Sequence, residues 1–290
     1  MGDQHCVRAI HDYKLCKRSK PVNHFSCQSL PMTTRDPFFR QEGDKFIATS
    51  VSRGPWNPEL LHGRVIAGLL SFQIEQNHGD PEFLPGRLTV DMYRAPDFSP
   101  IEITTKVVRD GYRIKVIDAE FLCNGKSMGR ASCQMLRRTE NSPGNVWKPP
   151  TWTVPAPESL KDVQAFGDGG TPTWRIRNIS GDMGVFAQRR VWMSEARELV
   201  EGFPLTPFTR IGLVSDFASP CANIGDAPLG YINTDVTVYL HRLPRGEWIG
   251  MESINHGATD GVAIGECFIY DVEGPIGSAS VTALAQVMKR

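Results

Sequence analysis

Apolar and polar residues alternate along much of this chain, and alternation with period two predicts strands whose two faces differ. The clearest stretch runs from Tyr231 to His241. Ile232, Val236, Val238 and Leu240 share one face, which reads as core. Tyr231, Asn233, Asp235, Thr237, Tyr239 and His241 share the other. That second face suits a sheet lining a site, or the solvated side of a half-exposed antiparallel strand.

The same reading extends in both directions. A strand is expected at 44–52 and a helix from Glu59 to about Gln76, capped by Asn57 with Pro58 in its first turn. Leu61, Val65, Leu69 and Phe72 recur there at helical spacing. Strands follow at 87–95, 101–109, 112–123 and 126–137, with Asp110-Gly111 and Asn124-Gly125 as hairpin turns. A Pro-, Gly-, Ser- and Asn-rich segment over 141–172 reads as a linker. Strands at 173–179 and 185–194, a helix near 206–218, and strands at 229–242, 246–256, 260–271 and 276–288 then repeat the plan. The expected domains are 40–140 and 173–290.

Three echoes between the halves point to an internal duplication. Gly68-Leu-Leu-Ser71 matches Gly212-Leu-Val-Ser215 in the helices. Arg94-Ala-Pro96 matches Arg242-Leu-Pro244 after a long strand. Gly129-Arg-Ala-Ser-Cys-Gln134 matches Gly277-Ser-Ala-Ser-Val-Thr282 on the last one.

Composition narrows the class. The 290 residues carry 32 basic and 32 acidic side chains, a balance that gives no reason to expect nucleic acid or an anionic membrane as partner. No apolar run approaches the ~20 residues of a membrane span. Seven scattered cysteines without a Cys-x-x-Cys pair suit reduced thiols in the cytoplasm and no metal. Residues 1–31 lack the apolar core of a secretory signal and read as a disordered extension.

No G-x-S-x-G elbow, P-loop or H-E-x-x-H motif is present. The candidate general base is Asp235, on a polar strand face beside Asn233, Thr237 and Tyr239. Burial would raise its pKa and hydrogen bonds would lower it. The competing reading is a carboxylate that serves only neighbouring backbone or hydroxyl groups.

Asp235, five residues, then His241-Arg242 and Pro244, followed by Gly246-Glu247-Trp248 and Glu252-Ser253, resembles the acyl-CoA thioesterase II family. The resemblance implies an α+β double hotdog, two antiparallel sheets each wrapped around a central helix. It implies hydrolysis of acyl-CoA to free acid and CoA by direct attack of water, with no cofactor or metal. Acyl-CoA is then the expected partner, and the two-repeat chain is compatible with a homo-oligomer.

The family places Asp235 in its water-activating set. It has a Thr where this chain has Ile254, and a Gln where this chain has Val281 or Thr282, so Thr282 is the remaining stand-in. Hotdog enzymes also use the N–H groups at the start of the first helix, here His62 and Gly63, and related families place a carboxylate where Asp216 stands. Asn233, Thr237, Tyr239 and Arg242 are candidate substrate contacts, Arg242 for a CoA phosphate or a surface ion pair. Trp56, Phe72, Tyr231, Tyr239 and Trp192 are candidates for an acyl tunnel or for plain aromatic core. The missing Thr and Gln keep two alternatives open: a hotdog enoyl-CoA hydratase or dehydratase using an Asp–His pair, and a non-catalytic acyl-CoA-binding protein.

Overall fold

The computed structural model describes residues 36–55, 57–148, 153–163, 174–182 and 184–286. The expectations for residues 1–31 and for Trp56 lie outside the described residues.

The first half contains β1 (Phe39–Glu42), β2 (Lys45–Ala48), α1 (Gly63–His78), β3 (Phe83–Met92), β4 (Ile101–Asp110), β5 (Ile114–Cys123) and β6 (Lys126–Arg137). The second contains β7 (Trp174–Ser180), β8 (Arg190–Glu195), α2 (Pro207–Ser215) and α3 (Ala218–Asn223). It continues with β9 (Tyr231–Asn233), β10 (Asp235–Leu240), β11 (Ile249–Thr259), β12 (Val262–Asp271) and β13 (Gly274–Ala285). The strands do not form two separate sheets. They join in one sheet of 13 strands, because β3 of the first half pairs antiparallel with β10 of the second. That pairing removes what would be an open edge in each half.

α1 is buried on almost every side from Arg64 to Phe72, as expected of a helix enclosed by a sheet. It starts later than the sequence suggests. Asn57 Oδ1 accepts from the Glu59 N–H at 2.9 Å and forms a turn, while His62 is the residue that caps the helix. Of the two expected hairpin turns, Asn124-Gly125 has both residues at positive φ, the geometry that matches strand twist. Asp110-Gly111 does not; three residues separate β4 from β5 there, and the Gly111 N–H bonds the Ile114 carbonyl at 3.0 Å. Parts of the expected linker are fixed. Val163 pairs with Ile176, the Trp192 indole donates to the Pro155 carbonyl at 3.0 Å, and Arg177 reaches Asp162 and the Pro157 carbonyl.

The duplication is visible in the register. Thr89 and Thr237 stand at the same distance before Arg94 and Arg242, so each is the counterpart of the other. They lie directly opposite in the β3–β10 pair, and the Thr237 hydroxyl donates to that of Thr89 at 3.1 Å. The halves are therefore related by an approximate two-fold axis through this pair.

α1 and α2 pack through the echoing glycines. A Cβ on Gly68 would stand 2.8 Å from Leu213 Cδ2, and one on Gly212 would overlap the Ser71 side chain and come within 3.0 Å of the Ala67 carbonyl. Gly212→Ala is therefore expected to cost about 1–3 kcal/mol of stability. Chemical denaturation measures it, and an unchanged midpoint would contradict this helix packing.

Candidate active site

The segment from Asn233 to Asp235 does not keep the regular alternation. Asn233 pairs with Ala283, but Thr237 pairs with Ser280, so residues 234–236 stand against only 281–282. This is a bulge, which re-aims side chains and leaves ladder groups unpaired. The Thr282 N–H is one such group, and Asp235 Oδ1 accepts it at 2.8 Å. The Thr282 hydroxyl donates to the same oxygen. Beyond the bulge, Val236, Val238 and Leu240 are buried in the core, which leaves Asp235, Thr237 and Tyr239 on the other face. Tyr239 is 52% exposed and Thr237 is engaged with Thr89. Asn233 instead reaches α2, donating to Asp216 Oδ1 at 2.9 Å. The expectation that Asn233 and Asp235 act on one face is corrected by the extra residue between them.

The expected site residues thus fall into two groups. Asp235 and Thr282 form one. His62, Gly63, Asp216 and Asn233 form the other, where the end of α2 meets the start of α1. Asp216 is only 7% exposed. Its Oδ2 lies 3.4 Å from His62 Nδ1. Gly63 presses against this carboxylate so closely that a Cβ there would stand 2.9 Å from Oδ1. The Gly63 N–H, one of the donors a helix start leaves free, takes no acceptor among the described residues.

Burial pushes the Asp216 carboxyl upward, but the hydrogen bond and charge of His62, the Asn233 amide and the Arg64 charge outweigh it and hold the carboxyl below its ordinary value. The positive end of α1 favours the same anion. His62 Nδ1 stands between a donor and an acceptor. It accepts the Arg64 N–H at 3.2 Å when it carries no proton, and it can bond Asp216 only when it carries one. The same nitrogen thus serves either the helix cap or the carboxylate, according to where the ring carries its proton.

Arg64 was not anticipated by sequence reasoning. It is 2% exposed, pairs with Glu195 at 2.7 Å, and lies over the rings of Phe38 (4.8 Å) and Trp174 (4.2 Å). Its partner is 131 residues away, so no local pattern could have revealed it.

The other candidates have different surroundings. Arg242 is taken up by both carboxylate oxygens of buried Asp271, which also accepts the Arg245 N–H at 2.8 Å. This pair fixes the β12–β13 turn. Phe72 packs edge-on to Phe46 and Phe203 in the core, Trp192 is pinned by Pro155, and Tyr231 packs edge-on to His256. Ile254 sits in a second bulge, between Ser253 and Asn255, and is 41% exposed.

A carboxylate whose folded pKa is depressed contributes stability above its unfolded pKa and loses it as pH falls through the folded value. His62→Ala removes the main stabilising partner and leaves burial to raise the Asp216 pKa instead. The substitution is expected to cost about 1–3 kcal/mol at pH 7 and less at pH 4.5, where the carboxyl takes a proton. Denaturant unfolding at both pH values measures this, and a cost independent of pH would show that His62 does not hold the anion.

Comparison with solved structures places this architecture among hotdog proteins. A hotdog-fold protein of unknown function from Alicyclobacillus acidocaldarius superposes with a TM-score of 0.68 at 16% identity, covering 87% of this chain and 96% of the other. The tesB protein of Mycobacterium avium subsp. paratuberculosis gives 0.61 at 14% identity, covering 86% and 96%. Acyl-CoA thioesterase II TesB2 of Mycobacterium marinum gives 0.60 at 16% identity, covering 86% and 95%. At these identities the likeness speaks for the fold. A search of curated protein sequences finds no match. A family model for the acyl-CoA thioesterase C-terminal domain matches residues 147–284, the part that contains α2, the bulge and Asp216. Residues 147–284, with the Asp235–Arg242 stretch among them, thus match the acyl-CoA thioesterase family that this stretch resembles.

Proposed function

We propose that this protein hydrolyses an acyl-CoA thioester to the free acid and CoA, by direct attack of water. The observation that carries the reading is the buried, anionic Asp216 set against the free N–H at the start of α1. Asp216, oriented by Asn233, takes a proton from the attacking water. The Gly63 N–H and the positive end of α1 stabilise the oxygen that becomes negative on the thioester carbonyl. The absence of a Cβ at Gly63 is what lets the Asp216 carboxylate approach the helix end. The proton then passes from Asp216 to His62 Nδ1, 3.4 Å away, and the other ring nitrogen gives its own proton to the leaving thiolate. The chain is read as two hotdogs, 40–140 and 173–290, whose sheets have merged along β3 and β10, with 141–172 joining them.

In this reading Asp235 is a positioning residue. It occupies the N–H that the bulge frees and so fixes the turn of the chain that aims Asn233 at Asp216. The absence of the family's Thr at Ile254, and of its Gln at Val281 or Thr282, agrees with a shift of the water-holding role away from Asp235.

A second reading has one observation behind it. The 3.4 Å approach of His62 and Asp216 is the kind of pair that enoyl-CoA hydration uses.

CoA release from a panel of acyl-CoAs, resolved by chromatography, tests both. Asp216→Asn is expected to lose at least about 2–3 kcal/mol of transition-state stabilisation in kcat/KM. Asp235→Asn is expected to lose less, with folding retained in both. Full loss in Asp235→Asn alone would return the base to Asp235. Hydration of crotonyl-CoA without CoA release would favour the second reading. Because Asp216 is held below the ordinary carboxylate range, its titration should leave no acid limb in kcat/KM above about pH 4. A limb near pH 6 that Asp216→Asn abolishes would contradict the ionised base.

A further inference from the structure

The approximate two-fold axis gives the site at the start of α1 a counterpart at the start of α2. The glycine echo in the helices makes Thr206 the counterpart of His62, Pro207 of Gly63, and Phe72 of Asp216. The strand echo makes Pro85 the counterpart of Asn233. The structure supports these pairings independently. His62 and Thr206 are the observed caps of α1 and α2, and the register of β3 shifts between Pro85 and Arg87 as that of the second half shifts between Asn233 and Thr237.

The counterpart has lost each group the proposed hydrolysis needs. Pro207 has no N–H to offer an oxyanion. Phe72 and Pro85 cannot hold water. Yet space remains beside it. A cavity of about 270 Å³ borders the counterpart through Pro85, walled also by Phe83, Met135, Phe208 and Leu243. That is just under the usual size of small-molecule pockets, and its lining has their typical character.

Three charged groups line the same cavity. Glu75 stands near the start of α2, where its Oε2 accepts the hydroxyls of Thr206 and Thr209 while Oε1 makes no hydrogen bond among the described residues. Burial raises the Glu75 pKa against the pull of both threonines. Asp80 is neutralised by Lys115 at 2.8 Å. Arg138 is exposed, and its guanidinium has no hydrogen-bond partner among the described residues.

We propose that this cavity is a second, non-catalytic site that binds a medium-chain carboxylic acid, with the alkyl chain among Phe83, Met135, Phe208 and Leu243 and the carboxylate on Arg138. An acid is favoured over an alcohol or an amine because Arg138 is the cation left uncommitted while Asp80 is spoken for. The inference does not require the hydrolytic reading, since its readout is binding.

Calorimetric titration of the full chain with decanoate and with 1-decanol tests it. Leu243→Trp plugs the cavity from a half-buried wall position, and Arg138→Ala removes the exposed cation. Leu243→Trp is expected to abolish one decanoate-binding event, or weaken it tenfold or more, with the unfolding midpoint and any CoA release unchanged. Arg138→Ala, which has little opportunity to disturb folding, is expected to weaken decanoate several-fold and leave decanol unaffected. Decanoate isotherms identical in wild type and Leu243→Trp would overturn the site. Equal weakening of acid and alcohol in Arg138→Ala, or no weakening of either, would overturn the assignment of the carboxylate. A chain that releases no CoA but shows the expected isotherms would sink the hydrolytic reading alone.

Discussion

The close, antiparallel packing of α1 on α2 is the constraint on which the rest of this molecule depends. Gly68 and Gly212 let the two helices approach to a distance that side chains would forbid. Because the helices run in opposite directions, one contact sets two sites at once. The end of α2 brings Asp216 to the start of α1, and the far part of α1 brings Glu75 to the start of α2. The β3–β10 pairing through Thr89 and Thr237 fixes the same two-fold relation in the sheet. Helix pair and sheet seam therefore specify one geometry from two directions.

Burying charge in such a structure is costly unless each charge is answered. Asp216 is answered by His62, Asn233 and the end of α1. Arg64, the next residue along that helix after Gly63, is answered by Glu195 and two aromatic faces. These groups form a polar seam through an otherwise apolar interior of Val65, Leu69, Leu213 and Val214. A seam of this kind adds little net stability, but it fixes orientation, since any shift would leave a buried charge unpaired. Orientation is what the proposed hydrolysis, in which water is held against a carbonyl, requires.

The two ends of the helix pair show how a duplicated site can diverge. One end keeps glycine, carboxylate and amide. The other has proline, phenylalanine and proline at the corresponding places. Proline at the first turn of α2 stabilises the helix start while removing its N–H, so the change that improves the helix disables the site. Phe72 packs with Phe46 and Phe203 and gives the first half a firmer core in exchange for a polar group.

The sequence by itself determined most of the secondary structure, the echoes between the halves and a resemblance to the acyl-CoA thioesterase II family. Period two and period 3.6 are local properties, and they placed β6 at 126–137 and the body of α1 without help from the fold. It also supplied His62, Gly63 and Asp216 as separate candidates. What it could not supply was their meeting, because proximity between residues 62, 216 and 233 is set by helix packing and strand register. Asp235 shows the limit most clearly. Alternation put it beside Asn233, but one extra residue opposite Val281 and Thr282 turned the two apart. A bulge is a relation between two strands, so no pattern within one of them can announce it. The same holds for Arg64 and Glu195, whose pairing exists only once the sheet has closed over α1, and for the cavity at the start of α2, which is defined by what the tertiary packing leaves empty.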